Sequence, residues 1–74
     1  MTAKELILTM VADEISITPV TNTIWHSDDA AATRVSIRTG KYHEILDCDV
    51  DYALMTHDGG RDHLHIFLMG EDDE

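Results

Sequence analysis

The sequence predicts an α+β domain: an N-terminal helix packed on a three- to four-stranded antiparallel meander sheet. Three observations carry this expectation. A capping-box pattern opens the chain at Thr2. From Glu44 to Thr56 the even positions Leu46, Cys48, Val50, Tyr52 and Leu54 are apolar and the odd positions Asp47, Asp49 and Asp51 acidic, a period-two pattern. Asp58-Gly59-Gly60 then separates that run from a second alternating one at Leu64, Ile66 and Leu68.

In Thr2-Ala3-Lys4-Glu5 the threonine can accept from the Glu5 amide, and Leu6, Ile7, Met10 and Val11 recur at helical spacing. This predicts a helix over 3–13, built from good helix formers. A strand is the competing assignment, because Leu6, Leu8, Met10 and Ala12 also alternate. Ile15 and Ile17 predict an edge strand that Pro19 ends. Ile24-Trp25-His26 predicts another short strand. Ser27-Asp28-Asp29 before three alanines reads as a helix cap or a polar loop. Val35 and Ile37, alternating with Arg34, Ser36 and Arg38, predict a half-buried strand closed by a Thr39-Gly40 turn.

In the long alternating run Leu46, Cys48, Val50, Tyr52 and Leu54 would face inward, and Asp47, Asp49 and Asp51 outward. A three-residue loop with Gly60 in the left-handed conformation would pair Leu54 with Leu64, Tyr52 with Ile66 and Val50 with Leu68. A two-residue Gly59-Gly60 turn would set Leu54 opposite His65 and mix the faces, so the apolar pattern selects the longer loop.

The 74 residues predict one domain over 1–70, followed by a frayed, disordered acidic tail at 71–74. A chain this short buries only about 60% of its unfolded surface. Cys48 is alone, so no internal disulfide staples the core, and dimerisation or docking on a larger protein would compensate. A single unpaired cysteine suits a reducing, cytoplasmic setting. Asp13 and Glu14 interrupt the apolar stretch from Leu6 to Ala12, so neither a secretory leader nor a membrane span is expected there.

Charge is the strongest compositional signal. Fifteen Asp and Glu against five Lys and Arg give a formal net charge of −10. Such a surface repels nucleic acid and anionic membranes and is attracted to basic surfaces. Plain solubility or adaptation to high salt would give the same balance. The Asp47, Asp49 and Asp51 carboxylates would stand about 6.6 Å apart on one strand face, like successive phosphates. Glu44, Asp62, Glu71 and Asp72 would extend that field. The plainer reading is the wet face of a two-faced sheet, yet aspartate is depleted in strands and a cluster needs a reason.

Five histidines raise a second possibility. His63 and His65 share a strand face, with His57 across the hairpin, and these three with Asp62 could ligate zinc in a metal-binding or hydrolytic domain. Solvated or partner-facing histidines are the plainer reading. H-x-H also occurs in cupins, but Glu71 comes too late for their spacing and the chain is too short for their barrel. Protonation of the histidines near pH 6 would cut the negative charge by up to half. Cys48 reads as a small buried hydrophobe flanked by acids, not as a nucleophile. Trp25 and Tyr42 are core residues or surface anchors. There is no glycine-rich phosphate loop, CxxC pair, nucleophile elbow or basic patch, so neither an enzyme nor a cofactor is expected.

In its small size, acidity and lack of enzymatic motifs, the chain resembles the small acidic proteins that phages use against host defence. These include anti-CRISPR inhibitors that imitate nucleic acid. The resemblance implies a stoichiometric inhibitor occupying a basic DNA- or RNA-binding channel of a nucleic-acid-processing complex. A structural or antitoxin-like partner of a basic protein is a further alternative.

Overall fold

The structure, a computed structural model, describes residues 1–18 and 25–69. The expectations for Pro19, Ile24 and the Glu71–Glu74 tail lie outside the described residues. Two helices, α1 (Ala3–Thr9) and α2 (Ala30–Arg38), accompany four strands: β1 (Glu14–Thr18), β2 (Trp25–Ser27), β3 (Val50–Asp58) and β4 (Arg61–Leu68). A short 3-10 turn spans Glu44–Asp47. The strands form one sheet in the order β2-β1-β4-β3. The fold is thus α+β, but the expected antiparallel meander is corrected to a mixed sheet, because β1 runs parallel to β4. It is also not at the edge as expected. Ile15 and Ile17 are almost fully buried and belong to the centre of the sheet.

The capping box forms as read: Thr2 Oγ1 accepts from the Glu5 amide, and Glu5 Oε1 accepts from the Thr2 amide. The helix it starts is shorter than 3–13. It ends at Thr9, and Val11 lies outside it, 81% exposed. Residues 34–38, expected as a strand, are the last turns of α2. Asp29 caps that helix by accepting from the Ala32 amide, and three alanines follow. Ala30, Thr33 and Ile37 fall on its buried stripe while Val35 is exposed, so the period is helical and the local alternation is incidental. Gly40, at φ 81°, closes α2, with its amide donating to Ile37 and that of Lys41 to Ser36.

The hairpin also differs from the expected register. Gly59 and Gly60 both have positive φ (60° and 80°) and make a two-residue turn, with Asp58 paired to Arg61. Leu54 therefore faces His65, and Met55 and Ala53 meet Leu64 and Ile66. The expected Val50–Leu68 pair does form, because an irregularity between Val50 and Tyr52 takes up the extra residue. That bulge reverses the strand's faces: Val50 packs on the core, whereas Tyr52 and Leu54 lie on the opposite, exposed side.

The core is one layer between the sheet and its cover. Ile7, Ile15, Ile17, Leu46, Leu64 and Ile66 are each at most 1% exposed. Full burial of each such side chain is worth roughly 1.5–3 kcal/mol. Helix α1 and the 3-10 turn contribute Ile7 and Leu46 on one side of the sheet. The other side carries Glu14, Ser16 and Thr18 from β1, His26 from β2, His63, His65 and Phe67 from β4, and Tyr52, Leu54 and Thr56 from β3. No described helix covers that side.

Candidate functional site

The acidic residues expected to form a row do not share a strand. Asp47 ends the 3-10 turn, Asp49 precedes β3 and Asp51 sits at the bulge, so regular spacing is absent. Three-residue helical winding and a bulge have replaced the uninterrupted strand the alternation suggested. Asp47 is neutralised within the fold: Lys4 Nζ lies 2.9 Å from Oδ1, and the Tyr42 hydroxyl donates to the same oxygen at 3.1 Å. The Lys4 hydrogen bond, then the Tyr42 one, hold the Asp47 carboxyl below its usual range, and Lys4 is raised by its bonds to Asp47 and to the Tyr42 hydroxyl.

Glu44, Asp49 and Asp51 are exposed and form no ion pair among the described residues. The Asp49 carbonyl accepts from the Met69 amide, so the end of β4 lies beside these carboxylates. Asp62 lies at the opposite end of β4, where its carboxylate bonds His57 Nδ1 and its amide donates to Asp13. Glu71 and Asp72 lie outside the described residues.

At the acidic end of the uncovered sheet face, Tyr52 and Phe67 stack with ring centroids 4.6 Å apart and planes 10° from parallel. Tyr52 is 54% exposed and Leu54 beside it 45%. Further along the face, His65 Nε2 lies 3.1 Å from the Thr56 hydroxyl, and its ring stacks on His63 at 4.0 Å. Burial, and then the charge of His63, push the His65 pKa below its ordinary value.

The expected metal trio is only partly assembled. His63 and His65 are adjacent, but His57 pairs with Asp62 across the hairpin, and the two-residue turn puts it on the other face from His63. The structure assembles a different group at this end: Glu14 from β1, His26 from β2 and His63 from β4, with one ligand atom of each mutually within 4.8 Å. Glu14 and His26 were missed because they are 12 residues apart and meet His63 only through the parallel β1–β4 pairing. No spacing within the sequence announces such a group.

No protein-family model matches this chain, and no curated protein or solved structure is significantly similar to it. The geometry alone therefore carries the functional argument. Cys48, expected to be buried, is exposed at the end of the 3-10 turn, where its amide donates to Ile45. Trp25 and Tyr42 are half-buried and line a shallow pocket of about 260 Å³ with Thr33 and Leu46. No described helix is long and apolar enough to cross a membrane.

Proposed function

We propose that the chain is a non-enzymatic binding module whose uncovered sheet face docks on a basic protein surface. The observation that carries this reading is the Tyr52–Phe67 stack, with Tyr52 exposed, near Asp49 and Asp51, whose carboxylates form no ion pair among the described residues. Stacked aromatics at a surface supply contact area at little entropic cost, the property that concentrates them in interface hot spots. Asp49 and Asp51 are exposed within three residues of Tyr52 in the chain, and the net charge of −10 steers such a surface toward cations.

A basic surface of this kind belongs to proteins that bind nucleic-acid backbones. Occupying it makes the chain a stoichiometric inhibitor of a nucleic-acid-processing complex. The support is charge complementarity plus an aromatic anchor; a phosphate-like row of aspartates plays no part in it.

The test is affinity capture from a host lysate with the wild-type chain and with Asp49→Lys/Asp51→Lys. Each substitution adds two positive charges, so the double variant moves from −10 to −6. Both positions are exposed, so the variant is expected to fold, which circular dichroism checks. The proposal expects a nucleic-acid-binding protein that is released by salt, displaced by added DNA or RNA, and lost with the double variant. A partner held equally by the variant, or retained at high salt and indifferent to nucleic acid, overturns it.

A further inference from the structure

We infer that Glu14, His26 and His63 form a divalent transition-metal site, fitted to zinc, with one coordination position open to solvent. The inference stands independently of the docking face, since His63 and Phe67 are four residues apart along β4, roughly 13 Å.

The distances suit the ion. Around a tetrahedral zinc with ligands at about 2.0–2.2 Å, neighbouring ligand atoms stand about 3.3–3.5 Å apart. Glu14 Oε1 lies 3.4 Å from His26 Nε2 and 4.0 Å from His63 Nδ1. Closing the second distance needs a shift of about half an ångström from a half-exposed imidazole ring, well within side-chain motion. Two imidazoles and a carboxylate with an open fourth position are an established zinc donor set, and imidazole nitrogen favours zinc, copper or nickel over calcium or magnesium.

Two of the three ligands, His63 and Glu14, are hydrogen-bonded through their other polar atom, and the third, His26, has a carboxylate facing it. His63 Nε2 bonds the Ser16 hydroxyl at 2.7 Å; donation from Nε2–H there leaves the Nδ1 lone pair facing Glu14. His26 Nδ1 lies 3.4 Å from Asp28 Oδ1, which favours the proton on Nδ1 and leaves Nε2 facing Glu14. Glu14 Oε2 accepts from Arg61 Nε at 2.9 Å, so Oε1 is the oxygen left for an ion. Arg61 Nη2 also donates to the Asp28 carbonyl at 3.1 Å, tying the loop after β2 to the start of β4. A carboxylate or hydroxyl behind each coordinating histidine is the arrangement that fixes tautomer and ring orientation in metal centres.

Arg61 also places a positive charge beside the site. Binding is therefore weaker than in an all-anionic cage, and a single ion per chain is expected. Untagged protein is titrated calorimetrically with zinc chloride, and cobalt(II) is followed by its visible absorption, which is intense only in a tetrahedral site. The inference expects saturation at one ion per chain and a tetrahedral cobalt spectrum. His26→Gln and His63→Ala should each weaken binding at least about tenfold, and Asp28→Asn should weaken it by about tenfold through His26. His57→Ala, on the other face, should change nothing. Because His26 is exposed, its variant folds even if His63→Ala does not. Absence of saturable binding, or binding insensitive to His26→Gln but lost with His57→Ala, overturns the inference.

Discussion

Replacing Leu54 by lysine tests the hairpin register directly. In the two-residue register Leu54 lies on the uncovered face, opposite His65 and 45% exposed. Full burial of leucine is worth about 2 kcal/mol, so about half of that, near 1 kcal/mol, is at stake. The lysine stem can cover the same patch while its ammonium reaches water, which reduces the loss further. In the three-residue register the same side chain would stand opposite Leu64, which is 1% exposed, in the core. A lysine there would have to lose its charge through a pKa fall of about 3–5 units, a cost of roughly 4–7 kcal/mol. A 74-residue domain has only about 4–11 kcal/mol of stability in total. Leu54→Lys is thus expected to unfold cooperatively with Tm lowered by at most about 4–8 °C. Met55→Lys, paired with Leu64 and packed on the core, is expected to lose most of its stability. Circular dichroism during thermal and urea unfolding measures both. An unfolded Leu54→Lys beside a stable Met55→Lys would refute the register and with it the exposed position of Tyr52.

Three further outcomes follow from local geometry. Gly59→Ala forces a side chain into a backbone with φ 60°, and should cost about 1–2 kcal/mol in urea unfolding although nothing lies near its Cβ. Thr2→Ala removes the acceptor for the Glu5 amide and should cost about 1 kcal/mol, read the same way. The Glu5 carboxyl is held below its ordinary 4.5, chiefly by the backbone hydrogen bond from Thr2, and Asp47 is held below its ordinary range by Lys4. Because their folded pKa values are depressed, their stabilisation is present above the ordinary carboxylate range. It is lost as pH falls through the folded values. Glu5→Gln and Asp47→Asn should therefore flatten the acid limb of the stability–pH curve below about pH 4.5 while leaving its slope near neutrality unchanged, as measured by urea midpoints.

Local chemistry was the legible part of this fold. The Thr2–Glu5 capping box and the cap at Asp29 each depend on a few adjacent residues and appear where those residues stand. A turn at Asp58-Gly59-Gly60 was also legible, but its length was not, and the two-residue form replaces the expected three-residue loop. Period-two patterning was less dependable because two different backbones can carry it. Between Glu44 and Asp47 the alternation lies on a 3-10 turn, and between Arg34 and Arg38 on a helix. Even within β3, where the strand is real, one bulged residue moves Tyr52 and Leu54 to the face opposite Val50 without breaking the alternation in the sequence. Of the sheet order only the β3–β4 hairpin was legible, since nothing in Ile15-Ser16-Ile17 indicates that its partner is a parallel strand about 50 residues later.

That hidden pairing accounts for both candidate surfaces. With the helices and the 3-10 turn on one side, the alternate residues of all four strands are left on the other, and apart from Leu54 those residues are polar or aromatic. If the uncovered face were only a solvated surface, it would be expected to resemble the rest of this acidic chain. It does not. Among its paired strand residues the carboxylates are Glu14 and, at the turn, Asp58, with the stacked His63 and His65 toward that end and the stacked Tyr52–Phe67 pair toward the other. Tyr52 and Phe67 are direct cross-strand partners, and such an aromatic pair stabilises the sheet itself by roughly 0.2–1 kcal/mol while leaving Tyr52 exposed. The two ends of β4 carry different chemistries: stacked aromatics near Asp49 and Asp51 at one, oriented imidazoles around a carboxylate at the other.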